Sequence, residues 1–188
     1  MVKHSSHEQA LEQFVVLWGT MASAWGINKT MAQIHALLYA ESEPLHTDSI
    51  MDTLDISRGN ANMNLHRLLE WELIHKVSIP GERKDHYTAE TDIWSIVSTI
   101  IRERQQQEIA PIRTELAKCI ETLKEGGLDN EASIIFKERI VAYMEFIEMF
   151  ERFTEALLPY INKRNVGFIK QLIKLVEVKE SVKGVFSD

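Results

Sequence analysis

The chain has 188 residues, of which 45% are hydrophobic and 26% charged, a composition that excludes a disordered or fibrous protein and suits one globular domain or two small lobes. Its net charge of −7 argues at first against a polyanionic partner. The uncharged, largely apolar stretch of residues 14–27 is too short to span a membrane, and a single cysteine excludes an internal disulfide. No secretory-signal pattern or zinc-ligand spacing is present, so we expect a cytoplasmic protein without membrane segment, structural metal or cofactor.

Scarce proline and glycine favour a mostly helical chain. Apolar residues at three- and four-residue intervals predict a first helix that ends near Gly26, and a second that Asn28 caps and Pro44 stops. Thr47 is the predicted N-cap of a short third helix, and Ser57 that of a fourth. The side chains expected to point inward from the fourth helix are Ala61, Leu65, Leu68 and Leu69.

After Trp71 the pattern changes from helical to alternating. Residues 74–79 and 85–89 predict two strands joined by a turn at residues 80–82, with Arg83 and Lys84 at the tip of the hairpin. The order helix, short helix, turn, helix and hairpin is that of a winged helix-turn-helix module. The predicted fold class is therefore mainly α, with a three-helix core, a β-hairpin wing and a long helical dimerisation region.

The C-terminal half predicts long helices. One runs from Asp92 to Gly126, with a kink or break at residues 107–111 because Pro111 lies inside it, and Cys119 occupies an apolar position where we expect a buried small hydrophobe. In the next, residues 130–158, charged side chains occupy a narrow arc and apolar ones more than half the circumference. Such a helix is either central in its own subunit or packs against a second chain, and we expect a homodimer. A final short helix is predicted from Phe168, Leu172, Ile173, Leu175 and Val176.

These elements divide the chain into three predicted regions. Residues 1–27 form an N-terminal helix that contributes to the dimerisation region, and residues 28–91 form the winged helix-turn-helix domain. Residues 92–188 form the C-terminal helical dimerisation region.

The charge distribution indicates where a nucleic acid would bind. Residues 1–55 carry two basic and seven acidic side chains, whereas residues 56–69 contain no acid. The N-terminal end of the fourth helix favours phosphate. Asparagine side chains can pair with adenine, and arginine side chains can pair with guanine or phosphate. The predicted DNA contacts on this helix and the wing tip are Ser57, Arg58, Asn60, Asn62, Met63, Asn64, His66, Arg67, Arg83 and Lys84.

The asparagines of the fourth helix decide between two functional interpretations. They could form only a solvated surface, or the module could be a protein-interaction scaffold that does not bind specific DNA. Asparagine is a poor helix former, so Asn60, Asn62 and Asn64 together weaken an exposed helix. This cost favours double-stranded DNA as the partner. Salt dependence of duplex binding would separate the two interpretations.

Residues 57–65 (SRGNANMNL), 68–71 (LLEW) and 80–92 (PGERKDHYTAETD) resemble the MarR superfamily of transcriptional regulators, and within it the GbsR-like branch, named for repressors of osmoprotectant synthesis and uptake. The resemblance implies a homodimeric repressor that binds a pseudo-palindromic operator. It assigns base reading to residues 57–67 and a DNA contact to the wing arginine, Arg83. Glu72 departs from the pattern, because winged modules commonly place glycine there. A left-handed backbone at Glu72 would cost about 1 kcal/mol.

The resemblance also implies a small effector, since some relatives sense choline, and aromatic rings are the usual cage for a quaternary ammonium group. Core packing is the alternative role of any aromatic side chain. With residues 28–91 as the DNA-binding domain, we expect the effector at residues 1–27 and 92–188, whose helices are expected to converge. The aromatic residues of these regions that could hold it are Trp18, Trp25, Trp94, Tyr143, Phe146 and Phe150. No phosphate loop, nucleophile elbow or metal-ligand helix motif is present, and we expect no enzymatic activity.

Overall fold

The computed structural model describes residues 5–127 and 130–162, together with Gly167, Lys170, Gln171 and Lys174. The final short helix predicted beyond Pro159 therefore lies mostly outside the described residues, whereas the preceding helix continues through Pro159. The helices and strands are α1 (Ser6–Ala24), α2 (Lys29–Ala40), β1 (Leu45–His46), α3 (Thr47–Leu54), α4 (Arg58–Glu70), β2 (Ile74–Val77), β3 (His86–Ala89), α5 (Ile93–Arg104), a π-helical segment (Gln105–Ile109), α6 (Ala110–Glu125) and α7 (Glu131–Asn162).

The fold confirms the predicted class: it is mainly helical, with one small antiparallel sheet, as in winged helix-turn-helix proteins. The chain divides into two compact units, Met1–Thr99 and Ile100–Asp188. In the first unit α2 lies at the centre and packs against α1, α3 and α4. Side chains that are almost fully buried in this core include Met31, Ile34, Leu37, Ile50, Leu65, Leu68 and Ile74.

Local capping explains where the helices of the winged unit begin. The Asn28 side chain accepts a hydrogen bond from the Met31 backbone N–H at 3.0 Å, and Ser57 accepts one from Asn60 at 3.3 Å, so both predicted caps are confirmed. The predicted cap Thr47 is wrong by one residue. His46 caps α3 instead, because its ring Nδ1 accepts from the Ser49 N–H at 3.1 Å.

The sheet has the strand order β1-β3-β2, with both pairings antiparallel. Its β2–β3 hairpin is the predicted wing, in which Ile74 pairs with Ala89 and Val77 with His86. The two-residue strand β1 was not predicted; it pairs Leu45 with Tyr87. The central strand of the sheet therefore connects the wing to the segment that enters α3.

The second unit begins within a helix that continues past Pro111. The predicted kink or break takes the form of the π-helical segment Gln105–Ile109, which ends just before the proline. A π-helical turn accommodates an extra residue in an otherwise α-helical stretch. The Thr154 hydroxyl of α7 donates a hydrogen bond to Gln105 Oε1 of this segment at 3.1 Å.

Helices α6 and α7 pack against each other within the second unit. Ile140 and Ile147 are buried, and the Arg113 guanidinium of α6 lies 3.3 Å from the Glu151 carboxylate of α7. Cys119, predicted as a buried small hydrophobe, is exposed, so the apolar position that it occupies on α6 is not covered within this chain. Among the described helices, none is long and apolar enough to cross a membrane.

Candidate nucleic-acid interface

Helix α4 exposes a polar face because its apolar residues are spaced to bury the opposite one. Ala61, Leu65 and Leu68 are buried, and Leu69 is half-buried. Met63 is 61% exposed although it is apolar. The structure places the following predicted contacts on the exposed face, with Asn60 half-buried at its edge: Ser57, Arg58, Asn62, Met63, His66 and Arg67.

Asn64 is the exception among the predicted contacts of α4. Its side chain is only 2% exposed, and its Nδ2 donates hydrogen bonds to the Asn60 backbone oxygen at 2.9 Å and to Asn60 Oδ1 at 2.7 Å. Asn64 lies three residues after Ala61 and four before Leu68, so it belongs to the inward side of the helix. Its polarity alone predicts a position at the margin of the exposed face, and this prediction is wrong. Asn64 therefore holds Asn60 rather than facing solvent.

The wing presents two more basic side chains. Gly81 adopts a φ of +90°, a conformation that glycine allows in the turn, and Arg83 and Lys84 follow it on the exposed tip. Lys76 on β2 pairs with Asp85 at 2.7 Å. His86 anchors the end of the tip, because its buried ring lies 3.0 Å from the Lys84 carbonyl and 3.0 Å from the Glu82 carboxylate.

Asp48 joins α4 to the wing, although no local sequence pattern indicates this contact. Its carboxylate forms ion pairs with Arg58, the first residue of α4, and with Lys84 Nζ at 2.9 Å. Hydrogen bonds from Lys84 and then Arg58 lower the pKa of Asp48 to about 2. Three elements that are distant in sequence therefore meet at one ionised carboxylate.

The connection between α4 and β2 contains the residue that departs from the family pattern. Glu72 has a φ of 55°, which confirms the left-handed backbone considered above. The Glu72 N–H donates to the Leu69 carbonyl at 3.0 Å, and the Leu73 N–H donates to Leu68 at 3.0 Å, which closes the end of the helix. On the preceding turn the Arg67 guanidinium lies 6.0 Å from the centre of the buried Trp71 ring.

The predicted effector residues fall into both units. The Trp18 ring stacks near His35 and Tyr39 of α2, with centroid distances of 6.3 Å to each, so it is part of the α1–α2 packing. Trp25 is 56% exposed and Trp94 is half-buried. The other three residues, all exposed on α7 in the second unit, are Tyr143, Phe146 and Phe150. That the two groups form one effector site stays a prediction.

His35 is a buried polar group that the sequence analysis did not single out. Burial lowers its pKa to about 4, although a backbone hydrogen bond to Glu90 and the charge of Glu90 oppose this shift. Its Nε2 has no hydrogen-bond partner within the part of the chain that the structure describes. His35 is therefore a neutral core residue at pH 7.

Comparison with known proteins gives a likeness in structure but none in sequence. No model of a known protein family matches the chain, and no curated protein matches it. The chain is similar in structure to a crystal structure described as that of a transcriptional regulator, with a TM-score of 0.62 and 13% sequence identity over 82% of this chain and 99% of that one. At this identity the likeness shows the fold alone, a mainly helical chain with a small winged sheet that is consistent with winged-helix regulators.

Proposed function

We propose that this chain is a sequence-specific, homodimeric DNA-binding regulator of the MarR superfamily, GbsR-like branch, acting as a repressor under the control of a small effector. The observation that carries the proposal is the exposed first part of α4, where Arg58, Gly59 and Asn62 face solvent within a stretch, residues 56–69, that contains no acidic residue. The similarity of its fold to that of a described transcriptional regulator supports the same function.

Gly59 provides the clearest support. The residue is exposed, and among the described residues no atom beyond its chain neighbours and the backbone of its own helical turn lies within 4 Å of a Cβ placed there, so packing does not require a glycine. Glycine in a helix costs about 1 kcal/mol relative to alanine. A surface without a side chain at the start of a helix allows a DNA backbone to approach the free N–H groups closely. Gly59 therefore favours a phosphate contact at this end of α4.

The polar face beyond Gly59 supplies candidates for base recognition. Asn62 is exposed, and Asn60 lies at the edge of the face with its Oδ1 fixed by Asn64 at 2.7 Å. An asparagine amide can pair with the N6 and N7 atoms of adenine, and the exposed Met63 side chain can contact a thymine methyl group. Arg67, Arg83 and the helix N-terminus would then contact phosphates and fix the register.

The second unit supports the homodimer. Helix α7 buries Ile140 and Ile147 but exposes an aromatic stripe, Phe146, Phe150 and Phe153, at spacings of four and three residues. Monomeric soluble proteins rarely expose large contiguous apolar patches. A second copy that covers this stripe would place two winged units on one DNA duplex. A two-fold symmetric protein binds a pseudo-palindromic operator.

The proposal is tested by selecting bound sequences from random duplexes and measuring affinity over a range of salt concentrations. The Asn62→Ala variant should lose about 1–3 kcal/mol on the selected site and almost nothing on random duplex. The Arg83→Ala variant should weaken both complexes and reduce the magnitude of the salt slope by about 1. Lys118→Ala, which removes an exposed cation of α6, is the control for net charge. Duplex binding without sequence preference or salt dependence would contradict the proposal.

Gly59→Ala separates folding from function. The substitution should raise the free energy of unfolding by up to about 1 kcal/mol, because alanine is the better helix former. At the same time it should weaken duplex binding, because a methyl group then occupies the surface on which the phosphate would lie. If Gly59→Ala stabilises the protein and leaves the duplex affinity unchanged, Gly59 does not lie in the DNA interface.

The effector is tested separately. Choline or glycine betaine is titrated into the protein by calorimetry, and operator affinity is measured with and without each compound. Repression under effector control predicts heat of binding and weaker operator affinity, which are linked quantities. Absence of both would exclude these two compounds as effectors and leave the DNA-binding proposal intact.

A further inference from the structure

We propose that Asp48 is an internal competitor for DNA phosphate, which occupies two basic side chains of the interface and thereby limits the affinity for duplexes of any sequence. The inference rests on the proposed DNA-binding function and adds a negative control element to it. Asp48 would act by holding Arg58 and Lys84 rather than by contacting a base.

The geometry assigns one carboxylate oxygen to each cation. Asp48 Oδ1 contacts Arg58 Nη2, and Asp48 Oδ2 contacts Lys84 Nζ at 2.9 Å. Arg58 begins the recognition helix and Lys84 belongs to the wing tip, so the two cations come from the two elements of the proposed interface. Two oxygens of one DNA phosphate could accept from the same two donors. The carboxylate therefore occupies the position that a phosphate would take.

Exposure leaves this exchange open. The Arg58 and Lys84 side chains are 61% and 57% exposed, and that of Asp48 is 35% exposed. Ion pairs at such surfaces are weak, so an incoming phosphate can displace the carboxylate. The pKa of Asp48, lowered to about 2 by its two partners, keeps it ionised throughout the range in which the protein would meet DNA. Its opposition to DNA is therefore permanent rather than switched by pH.

The charge balance gives the size of the effect. Arg58 and Lys84 contribute two positive charges and Asp48 one negative charge, so the three residues together carry a net charge of +1. The Asp48→Asn substitution would raise the net charge of this cluster to +2. One additional phosphate contact makes the salt slope steeper by about 0.9. For two proteins that bind equally at 1 M salt, this difference makes the affinity of the uncharged variant roughly eightfold higher at 0.1 M salt. We expect this gain on selected and random duplexes alike, because phosphate contacts carry no sequence information.

The test compares Asp48→Asn with Asp52→Asn, which removes the same charge from an exposed position one turn further along α3. Asp48→Asn should bind random duplex roughly eightfold more tightly at 0.1 M salt, with a slope steeper by about 0.9, and Asp52→Asn should change both much less. The gain should disappear when Arg58→Gln and Lys84→Gln are also present. Circular dichroism confirms folding, and Asp48→Ser is the second uncharged variant if Asp48→Asn is unfolded.

The outcomes distinguish this inference from the proposed function. If the unaltered protein binds duplex DNA and the uncharged variants bind equally or less tightly, Asp48 is not a competitor, and the DNA-binding proposal stands. An equal gain in Asp52→Asn would assign the effect to net charge and overturn the inference. If neither the unaltered protein nor Asp48→Asn binds any duplex, the proposed function fails and the inference fails with it.

Discussion

Replacing Glu72 with glycine should stabilise the protein by about 1 kcal/mol. Glu72 has a φ of 55° and an exposed side chain, and it joins α4 to the first strand of the wing. A left-handed backbone costs a residue with a Cβ about 1–2 kcal/mol, and glycine removes this cost. The greater conformational freedom of glycine in the unfolded chain reduces this stabilisation by about 0.4–1 kcal/mol. For a chain of this length the net gain corresponds to a melting temperature higher by about 2–4 °C.

Thermal and urea unfolding of Glu72→Gly, followed by circular dichroism, measure this gain. Glu72→Ala is the matched control, because it removes the same carboxylate but keeps the Cβ and therefore the strain. Asp55→Gly should give a smaller gain, since Asp55 has a similar φ of 51° but aspartate tolerates this conformation better. An equal gain in Glu72→Ala, or a loss in Glu72→Gly, would refute the argument from backbone strain.

Three further predictions follow from buried and exposed groups. The free energy of unfolding should fall as the pH drops from about 6.5 to 4. In this range His35 is protonated in the unfolded chain, whereas the buried ring of the folded protein, with a pKa of about 4, stays neutral. The loss of stability is at most about 3 kcal/mol. In urea unfolding at pH 7 and pH 5, His35→Gln should lack this part of the pH dependence, and equal pH dependence in both proteins would contradict it. Asn64→Ala should lower the free energy of unfolding by about 1–2 kcal/mol. It should also weaken binding to the selected duplex but not to random duplex, because Asn60 loses the hydrogen bond that orients its amide. Equal losses on both duplexes would show that Asn60 reads no base. Phe146→Glu should convert the proposed dimer to monomers, measured by light scattering after size exclusion, whereas Glu145→Lys on the same helix should not. A monomeric unaltered protein would contradict the proposed dimer.

Local features were predictable from the sequence because few neighbouring residues determine them. Asn28 and Ser57 cap their helices by bonds that reach only three residues along the chain. The hairpin was predicted from its alternation and turn. His46 was missed as a cap because histidine is not among the usual capping side chains, although its ring nitrogen accepts the same bond.

Features that depend on distant residues could not be predicted in this way. Strand β1 exists only because Leu45 pairs with Tyr87, and two residues carry no recognisable strand pattern. Asp48 meets Lys84 across 36 positions, so no local motif indicates the contact. Asn64 was misplaced for a different reason: its polarity suggested solvent, but its helical position put it beside the core, where Asn60 satisfies its amide.

The π-helical segment Gln105–Ile109 shifts the helical sequence pattern by one position. Its wide turn takes up one residue more than an α-helical turn, and the helix that follows is not rotated by it. Deleting one of the three consecutive glutamines that begin this segment should therefore restore an uninterrupted α-helix and leave the amphipathic stripe of α6 against α7. Deleting one residue within α6 would instead rotate the side chains that follow by roughly 100° and turn that part of the stripe away from α7. The segment is thus a position at which the helix can change its length by one residue and keep its rotational register.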